Sequence, residues 1–224
     1  MKTTNAFLLR GLLFTAGFHF SAYAQGTFQN LDFEGAQIVP ISGSPSWIAT
    51  TNALPGWTGF VGANQVSRIT YNNPAIGSTW VNLEATNVFV LQGNYSITLQ
   101  GGLSASAASI SQTGLVAGSA RSLQFEATGY VQAVPGSLVV SLGGQNVPLV
   151  ALSTTARYTL YGGDVTAFAG LSEQLTFSAL NGIDNYWTID AIQFSNLGVP
   201  EPGFLGLSAL GGLLVGWRIL RGRR

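Results

Sequence analysis

The chain has 224 residues with no cysteine, one histidine and equal numbers of basic and acidic residues, 9 of each. This balance hides an uneven distribution, because Gln25–Gly198 carries three arginines against eight acidic residues, a net charge of −5. A domain this acidic lacks the basic surface that nucleic-acid binding requires. The sequence therefore argues against a nucleic-acid partner.

The residue types that are missing also limit the chemistry. The only histidine, His19, and the only lysine, Lys2, both precede Gln25. The rest of the chain therefore has no thiol or Ser–His nucleophile, no Schiff-base lysine, and no His or Cys metal ligand. Oxygen-ligated hard metal ions and carboxylate-pair catalysis remain as site chemistries.

The first residues, Met1–Ala24, have the pattern of a secretory signal peptide. Lys2 and Arg10 supply positive charge, Gly11–Phe20 is an apolar run, and Ala22-Tyr23-Ala24 is a cleavage site of the A-x-A type. We expect export, and a mature chain that begins directly after this site.

From Gln25 to Gly198 the sequence has a β pattern throughout. Short runs rich in Val, Ile, Thr, Phe and Tyr alternate with Gly, Asn, Ser and Pro. The pattern predicts an all-β fold, a two-sheet jelly-roll sandwich. A parallel solenoid is the alternative, but we find no fixed internal repeat. The predicted strands are Phe28–Phe33, Gln65–Tyr71, Trp80–Glu84, Val88–Gln92, Ser109–Gln112, Ser122–Val131, Ser137–Leu142, Gln145–Leu149, Ala156–Gly162, Gln174–Ala179 and Trp187–Phe194.

Two motifs near the ends of this domain carry a family resemblance. Asn30–Glu34 reads N-L-D-F-E and Trp187–Ile192 reads W-T-I-D-A-I. They resemble the opening and closing segments of galactose-binding-like jelly rolls, which implies that fold and a carbohydrate-binding role. Ala191 departs from the family pattern, which has a second Asp at this point. Three further segments follow the order of such domains: Leu54–Trp57, Ile110–Thr113 and Leu123–Ala127.

The same resemblance implies a structural Ca²⁺ between the first and last strands. Asp32 and Glu34 share one face of the first predicted strand, while Phe33 points the other way. Asp190 has the parity of Ile192, which we expect in the core, so its carboxylate needs a cation or hydrogen-bond donors. We predict a calcium site formed by Asp32, Glu34 and Asp190 with backbone carbonyl groups. The alternative places Asp190 at the rim, solvated or bound to backbone N–H groups.

Aromatic residues suggest a second candidate site. Trp47 and Trp57 lie in loop-like stretches, where an exposed indole could stack on the C–H face of a sugar ring. The alternative is that they belong to the core, as most aromatic side chains of β domains do. Glu84, Glu126 and Glu173 permit a glycosidase-type carboxylate pair, but we expect these side chains to face solvent. We therefore predict that the protein is not an enzyme.

The last segment, Val199–Arg224, differs in composition from the domain. Its mostly apolar run from Gly203 to Leu220 would span about 27 Å as a helix, close to the ~30 Å hydrocarbon core of a bilayer. Basic residues beside a membrane span stay on the cytoplasmic side. We predict a single transmembrane helix; a core helix is the alternative. The basic end consists of Arg218, Arg221, Arg223 and Arg224.

This tail resembles the PEP-CTERM sorting signal of bacterial envelope proteins. Pro200, Glu201 and Pro202 form the motif, and the apolar run and the arginine cluster follow it in order. The resemblance implies an exosortase-type processing enzyme as partner and transient anchoring in the inner membrane. It also implies a destination at the cell surface or in an exopolysaccharide or biofilm matrix.

The sequence thus predicts a signal peptide (1–24), a β-sandwich domain (25–198) and a sorting tail (199–224). The function it favours is that of a non-catalytic exported surface or exopolysaccharide-matrix protein. A glycan-binding module with a defined carbohydrate ligand is the alternative, and a carboxylate-pair glycosidase is the third hypothesis.

Overall fold

Strands dominate the computed structural model, which describes residues 26–73, 78–85, 89–103, 107–130 and 137–200. The predicted signal peptide lies outside the described residues, as does the predicted sorting tail apart from Val199 and Pro200. Within the described ranges, no helix has the length and apolar character needed to cross a membrane.

The helical elements are α1 (Thr50–Ala53) and a 3-10 turn (Thr166–Phe168). The strands are β1 (Pro40–Ile41), β2 (Ser44–Ala49), β3 (Thr58–Val61), β4 (Asn64–Val66), β5 (Arg68–Tyr71), β6 (Trp80–Glu84), β7 (Ser96–Gly102), β8 (Ala108–Leu115), β9 (Ser122–Gly129), β10 (Leu138–Leu142), β11 (Gln145–Asn146), β12 (Val150–Thr154), β13 (Thr159–Asp164), β14 (Ser172–Ala179) and β15 (Gly182–Ser195).

The strands form two sheets. Sheet A has nine strands in the order β1-β2-β5-β6-β7-β15-β9-β13-β12, and sheet B has six in the order β11-β10-β14-β8-β3-β4. From β7 onward the chain resembles one long hairpin, because β7 pairs with β15, β8 with β14, β9 with β13 and β10 with β11. Along one arm, β7, β8, β9 and β10 alternate between the two sheets, and their partners β15, β14, β13 and β11 alternate with them, which is the wrapping of a jelly roll. The predicted all-β, two-sheet architecture is therefore confirmed.

Alternating apolar side chains fill the space between the sheets. Val81 and Leu83 of β6 and Ile97 of β7 point inward from sheet A and are fully buried. Phe177 of sheet B packs edge-on against Phe125 of sheet A, with 5.0 Å between ring centroids. The intervening residues of the sheet A strands therefore face away from the core.

The predicted first strand, Phe28–Phe33, is wrong. Residues 31–35 form turns, in which Asn30 and Phe33 take left-handed φ angles of 49° and 58°. The Asn30 side chain favours this shape, because its Oδ1 accepts a hydrogen bond from the Gly35 N–H at 2.8 Å and its Nδ2 donates to the Pro55 carbonyl oxygen at 3.2 Å.

Other strand predictions succeed or fail for local reasons. Trp80–Glu84 is confirmed with its predicted bounds. Gln65–Tyr71 is instead two strands, since the chain passes from sheet B to sheet A at Ser67. The described part of Val88–Gln92, residues 89–92, contains no strand. Five strands were not predicted: β1, β2, β3, β7 and β12.

Candidate functional site

The outward face of sheet A, away from the core, carries three parallel rows of side chains. The register of β6, β7, β15 and β9 places opposed residues of these neighbouring strands on the same face. In that strand order, the acid row is Glu84, Ser96, Asp190 and Glu126. The hydroxyl row is Asn82, Thr98, Thr188 and Thr128. The aromatic row is Trp80, Gln100, Tyr186 and Tyr130.

The segment Phe89–Tyr95, here called the covering segment, is tied to the acid row by its backbone. The Gln92 N–H donates a hydrogen bond to Asp190 Oδ2 at 3.1 Å. The Leu91 N–H donates to Ser96 Oγ at 2.9 Å. These bonds fix the segment against the outward face of the sheet.

Three carboxyl groups of the acid row are buried. Glu84 and Asp190 are each 1% exposed, and Glu126 is 7% exposed. The prediction that Glu84 and Glu126 face solvent is therefore wrong. Their side chains do point away from the core, but this face of the sheet is shielded from water.

Asp190 lies at the centre of the acid row. Its Oδ2 accepts hydrogen bonds from Ser96 Oγ at 2.5 Å and from the Gln92 N–H, and its Oδ1 accepts from the Ala191 N–H at 2.6 Å. Burial raises the pKa of Asp190 to about 7, although these hydrogen bonds oppose the increase. The nearby Glu126 carboxylate adds to the increase in pKa.

A β-bulge directly after Asp190 places Asp190 and Ile192 on opposite faces of the sheet. Ala191 has a left-handed φ of 48°, and the register with β9 shifts between Asp190 and Gln193. The extra residue interrupts the alternation of side chains, so that Ile189 and Ile192 both point into the core. The predicted core-facing parity of Asp190 is therefore wrong.

Glu84 has one satisfied and one unsatisfied oxygen atom. Its Oε1 accepts hydrogen bonds from Asn82 Nδ2 at 2.5 Å and Thr98 Oγ1 at 2.9 Å. Its buried Oε2 has no hydrogen-bond partner within the described part of the chain. Burial raises the pKa of Glu84, and the two hydrogen bonds oppose that increase.

The pKa of Glu126 is raised as well. Burial raises its pKa, while a hydrogen bond with Tyr158 and the nearby Arg157 guanidinium lower it. The same hydrogen bond and the Glu126 charge raise the pKa of Tyr158. The Arg157 cation therefore stabilises the ionised form of Glu126. Among the described residues, only hydrogen bonds lower the pKa of Glu84.

A cavity of about 160 Å³ lies where the hydroxyl and aromatic rows meet. The rings of Tyr130 and Tyr186 lie 5.6 Å apart between centroids, inclined at 50°. Tyr130 is 48% exposed and Phe89 is 41% exposed, so aromatic surface remains open to solvent. The cavity is lined by Glu84, Phe89, Thr98, Thr128, Gly129, Tyr130, Tyr186 and Thr188.

This lining combines the two kinds of surface that a sugar ring requires. Aromatic faces can contact the apolar C–H groups of a pyranose, while threonine hydroxyl and carboxyl groups can exchange hydrogen bonds with its hydroxyl groups. The Thr98 and Thr188 hydroxyl oxygens are 2.9 Å apart, which fixes the floor of the cavity. Pockets for drug-sized ligands occupy about 300–1,000 Å³, so a smaller cavity suits a single ring.

A larger groove of about 370 Å³ opens beside β10 and β13. Val140, Val147, Pro148 and Trp187 contribute to its largely apolar lining. The Trp187 indole N–H already donates hydrogen bonds to the side chains of neighbouring residues, at 2.9 and 3.0 Å. Asn146 and Tyr161 are the other described lining residues with polar side-chain groups. Despite its size, the groove therefore offers a sugar fewer polar groups than the smaller cavity does.

Trp57, one of the two predicted sugar-stacking residues, is buried at 5% exposure. Its indole Nε1 donates a hydrogen bond to the Asn30 carbonyl oxygen at 3.0 Å. Its ring contacts Phe33 and Phe177, at centroid distances of 5.9 and 6.3 Å. Trp57 therefore belongs to the core, and its predicted role as a sugar platform is wrong.

Trp47, the other predicted stacking residue, lies on the outward face of β2 and is partly exposed. Its ring meets Trp80 edge-to-face at 5.0 Å, and the Arg68 guanidinium carbon lies 4.5 Å from its ring centroid. Trp47 is therefore a second aromatic surface, separate from the lining of the cavity. Its predicted contact with a glycan stays a prediction.

The three predicted calcium ligands do not come together. Asp32 is exposed and accepts a hydrogen bond from the Glu34 N–H at 3.3 Å. Glu34 instead holds the covering segment, accepting from the N–H groups of Asn94 at 2.7 Å and Tyr95 at 3.1 Å. No group of three or more acidic side chains in the described ranges could hold a metal ion. The predicted Asp32–Glu34–Asp190 cluster is wrong, and calcium binding by this domain stays a prediction.

Of the residues that line the cavity, only Glu84 was a candidate from the sequence, as a possible member of a carboxylate pair. The polar positions of Trp80–Glu84 and Ser96–Gln100 alternate with apolar ones, which marks an outward face. That signal identifies the rows, but β7 was not predicted, so the rows could not be aligned. Tyr130 directly follows β9, and the sequence around it has no pattern that would identify it as part of a site.

Asp190 should make the stability of the protein depend on pH. Its pKa is raised from 3.8 to about 7 in the folded chain, so the folded state holds a proton that the unfolded state releases. The resulting stabilisation is fully present below pH 3.8 and is lost as the pH rises through about 7. The free energy of unfolding should fall by up to about 1.4 kcal/mol per pH unit from this group. The raised pKa values of Glu84 and Glu126 act in the same direction.

Urea unfolding between pH 4 and 7 measures this effect. Asp190→Asn removes the ionisation and should flatten the decline in stability. Asp164→Asn is the matched control, because hydrogen bonds from Thr166 lower the pKa of Asp164 and confine its effect to more acidic conditions. Equal slopes for the wild type and Asp190→Asn would contradict the account of Asp190.

No protein-family model and no curated protein matches the chain. Solved structures to which it is similar include TmCBM61 in complex with β-1,4-galactotriose, at 12% identity and a TM-score of 0.45, covering 76% of this chain and 97% of that chain. A cyclase from Fischerella sp. TAU is 13% identical with a TM-score of 0.46, covering 78% and 97%. The CBM22-1 xylan-binding domain from Paenibacillus barcinonensis is 14% identical with a TM-score of 0.39, covering 66% and 89%. At such low identities and TM-scores, the ligands of these proteins are not assigned to this chain.

Proposed function

We propose that the protein binds carbohydrate, without catalysis, in the cavity between the hydroxyl and aromatic rows. The observation that carries the proposal is the meeting of two tyrosine rings, three threonine side chains and one glutamate in a single cavity. A sugar satisfies both parts of this lining, because it has apolar C–H faces and a ring of hydroxyl groups. The sequence hypothesis of a glycan-binding module is thus the one that the geometry supports best.

The carboxyl groups favour binding over hydrolysis. Glycoside hydrolysis uses two carboxyl groups that flank the scissile bond, roughly 5 to 9.5 Å apart. Of the described residues that line the cavity, only Glu84 is acidic. Asp190 and Glu126 are buried on the same face but are not part of the lining. A single carboxyl group in the lining can orient a sugar, and it lacks the partner that hydrolysis requires.

We further propose where this binding takes place. The support is the sequence: a signal peptide at Met1–Ala24, the Pro200–Pro202 motif, an apolar run and a cluster of arginines. Export would place the acidic domain outside the inner membrane, with the tail as a transient anchor until an exosortase-type enzyme removes it. The glycan site would then act at the cell surface or in an exopolysaccharide matrix.

Replacing Tyr130 tests the location of the glycan site. A glycan array probed with the full chain in neutral detergent identifies ligands, and calorimetry then compares variants on the strongest one. Tyr130→Ala should weaken binding about tenfold, because a stacking contact of 1–2 kcal/mol is lost. Leu171→Ala removes an exposed apolar side chain elsewhere and should leave affinity unchanged. Loss of affinity in Trp47→Ala but not in Tyr130→Ala would move the site to the Trp47 surface.

Mass spectrometry of the exported protein tests the proposed processing. We expect a mature chain that begins at Gln25 and lacks Phe204–Arg224, because the processing enzyme would cut near the Pro200–Pro202 motif. An exported form that retains Arg224 would show instead that the tail is a permanent anchor.

A further inference from the structure

The acidic side chain of Glu84 is a feature of this cavity that the binding of a neutral sugar would not require. It is the one acidic residue among the described residues that line the cavity, it is 1% exposed, and its Oε2 lacks a hydrogen-bond partner within the described part of the chain. We propose that the cavity takes a sugar unit carrying a free, protonated amino group, which pairs with the Glu84 carboxylate. This inference rests on the proposed glycan-binding function and names the chemical class of the ligand.

The charges around the cavity favour a cationic ligand. No cationic side chain occurs among the described residues that line it. The described arginines are engaged elsewhere: Arg68 stacks on Trp47, Arg121 lies near Asp164, and Arg157 donates to the Val90 carbonyl oxygen. An anionic sugar would meet the Glu84 carboxylate with no compensating cation, which is unfavourable at a buried site.

The unpaired oxygen gives the ammonium group a specific partner. Leaving a buried carboxylate oxygen without a donor destabilises the ionised state, and burial already raises the pKa of Glu84. An ammonium group would supply a charge-assisted hydrogen bond, stronger than one from a neutral hydroxyl group. The pair forms where water is largely excluded, so the attraction is weakly screened.

The remaining lining suits an amino sugar better than a simple amine. The faces of Tyr130, Tyr186 and Phe89 attract a cation as well as apolar C–H groups. The hydroxyl groups of Thr98, Thr128 and Thr188 can bond the ring hydroxyl groups of a sugar, for which an alkylamine has no equivalent. Both halves of the lining are used only when the ammonium group is attached to a polyhydroxylated ring.

Two ligands that differ only at the amine test the inference. The full chain in neutral detergent is titrated by calorimetry with a β-1,4-linked glucosamine tetramer and with its fully N-acetylated counterpart, at a pH where the amines are protonated. We expect the amine form to bind at least about tenfold more tightly, the discrimination expected of one charge-assisted pair. Glu84→Gln, a neutral variant of equal size, should reduce this preference to less than about threefold.

The controls separate failure of the inference from failure of the proposed function. Because the readout is a ratio of two affinities within one variant, a folding defect that weakens both ligands does not imitate the expected result. Glu173→Gln on β14 of the other sheet should retain the preference of the wild type. Equal affinity of the wild type for both oligomers, or a preference that survives Glu84→Gln, would overturn the inference while leaving glycan binding intact.

Two further results would also be decisive. If n-butylamine, at the same concentration as the glucosamine tetramer, displaced the tetramer from the protein, the site would recognise the amine alone. That result would overturn the sugar assignment. Absence of binding to either tetramer and to every neutral glycan on an array would overturn the proposed function and the inference together.

Discussion

The hydrogen bonds of Asp190 join parts of the chain that are far apart in sequence. Its carboxyl group accepts from Ser96 on β7 and from the Gln92 backbone in the covering segment, 94 and 98 residues away. These bonds hold the covering segment against sheet A and shield an outward face that would otherwise be wet. Glu84 is buried on the same face, and it shares the lining of the cavity with Phe89 of the covering segment.

Residues at the start of the domain bind both the covering segment and β15. Glu34 accepts hydrogen bonds from the backbone of Asn94 and Tyr95, and the Ile192 N–H donates to the Leu31 carbonyl oxygen at 3.0 Å. The first and last segments of the domain thus meet directly, through the hydrogen bond between Ile192 and Leu31. The resemblance to galactose-binding-like jelly rolls suggested that a calcium ion joins these segments, but in this chain the carboxylate of Glu34 binds backbone N–H groups instead.

Local patterns in the sequence predicted the elements better than the site. Trp80–Glu84 alternates regularly, so both its bounds and its two faces followed from the sequence. The direction of Asp190 did not, because the bulge at Ala191 shifts the alternation by one residue. The buried Trp57 indole donates a hydrogen bond to a residue 27 positions earlier, and the buried Asp190 carboxylate accepts one from a backbone N–H 98 residues away. Such long-range contacts leave no mark on the local pattern, so the proposed site became visible only when the register aligned the strands.

We propose that ligands bind to the outward face of sheet A, where the hydroxyl and aromatic rows meet. Backbone NMR chemical shifts of the full chain in detergent, recorded during titration with a bound oligosaccharide, test this most directly. We expect the largest changes at Thr98, Thr128, Tyr130, Tyr186 and Thr188. Changes concentrated around Trp47 and Arg68, or on the strands of sheet B, would contradict it.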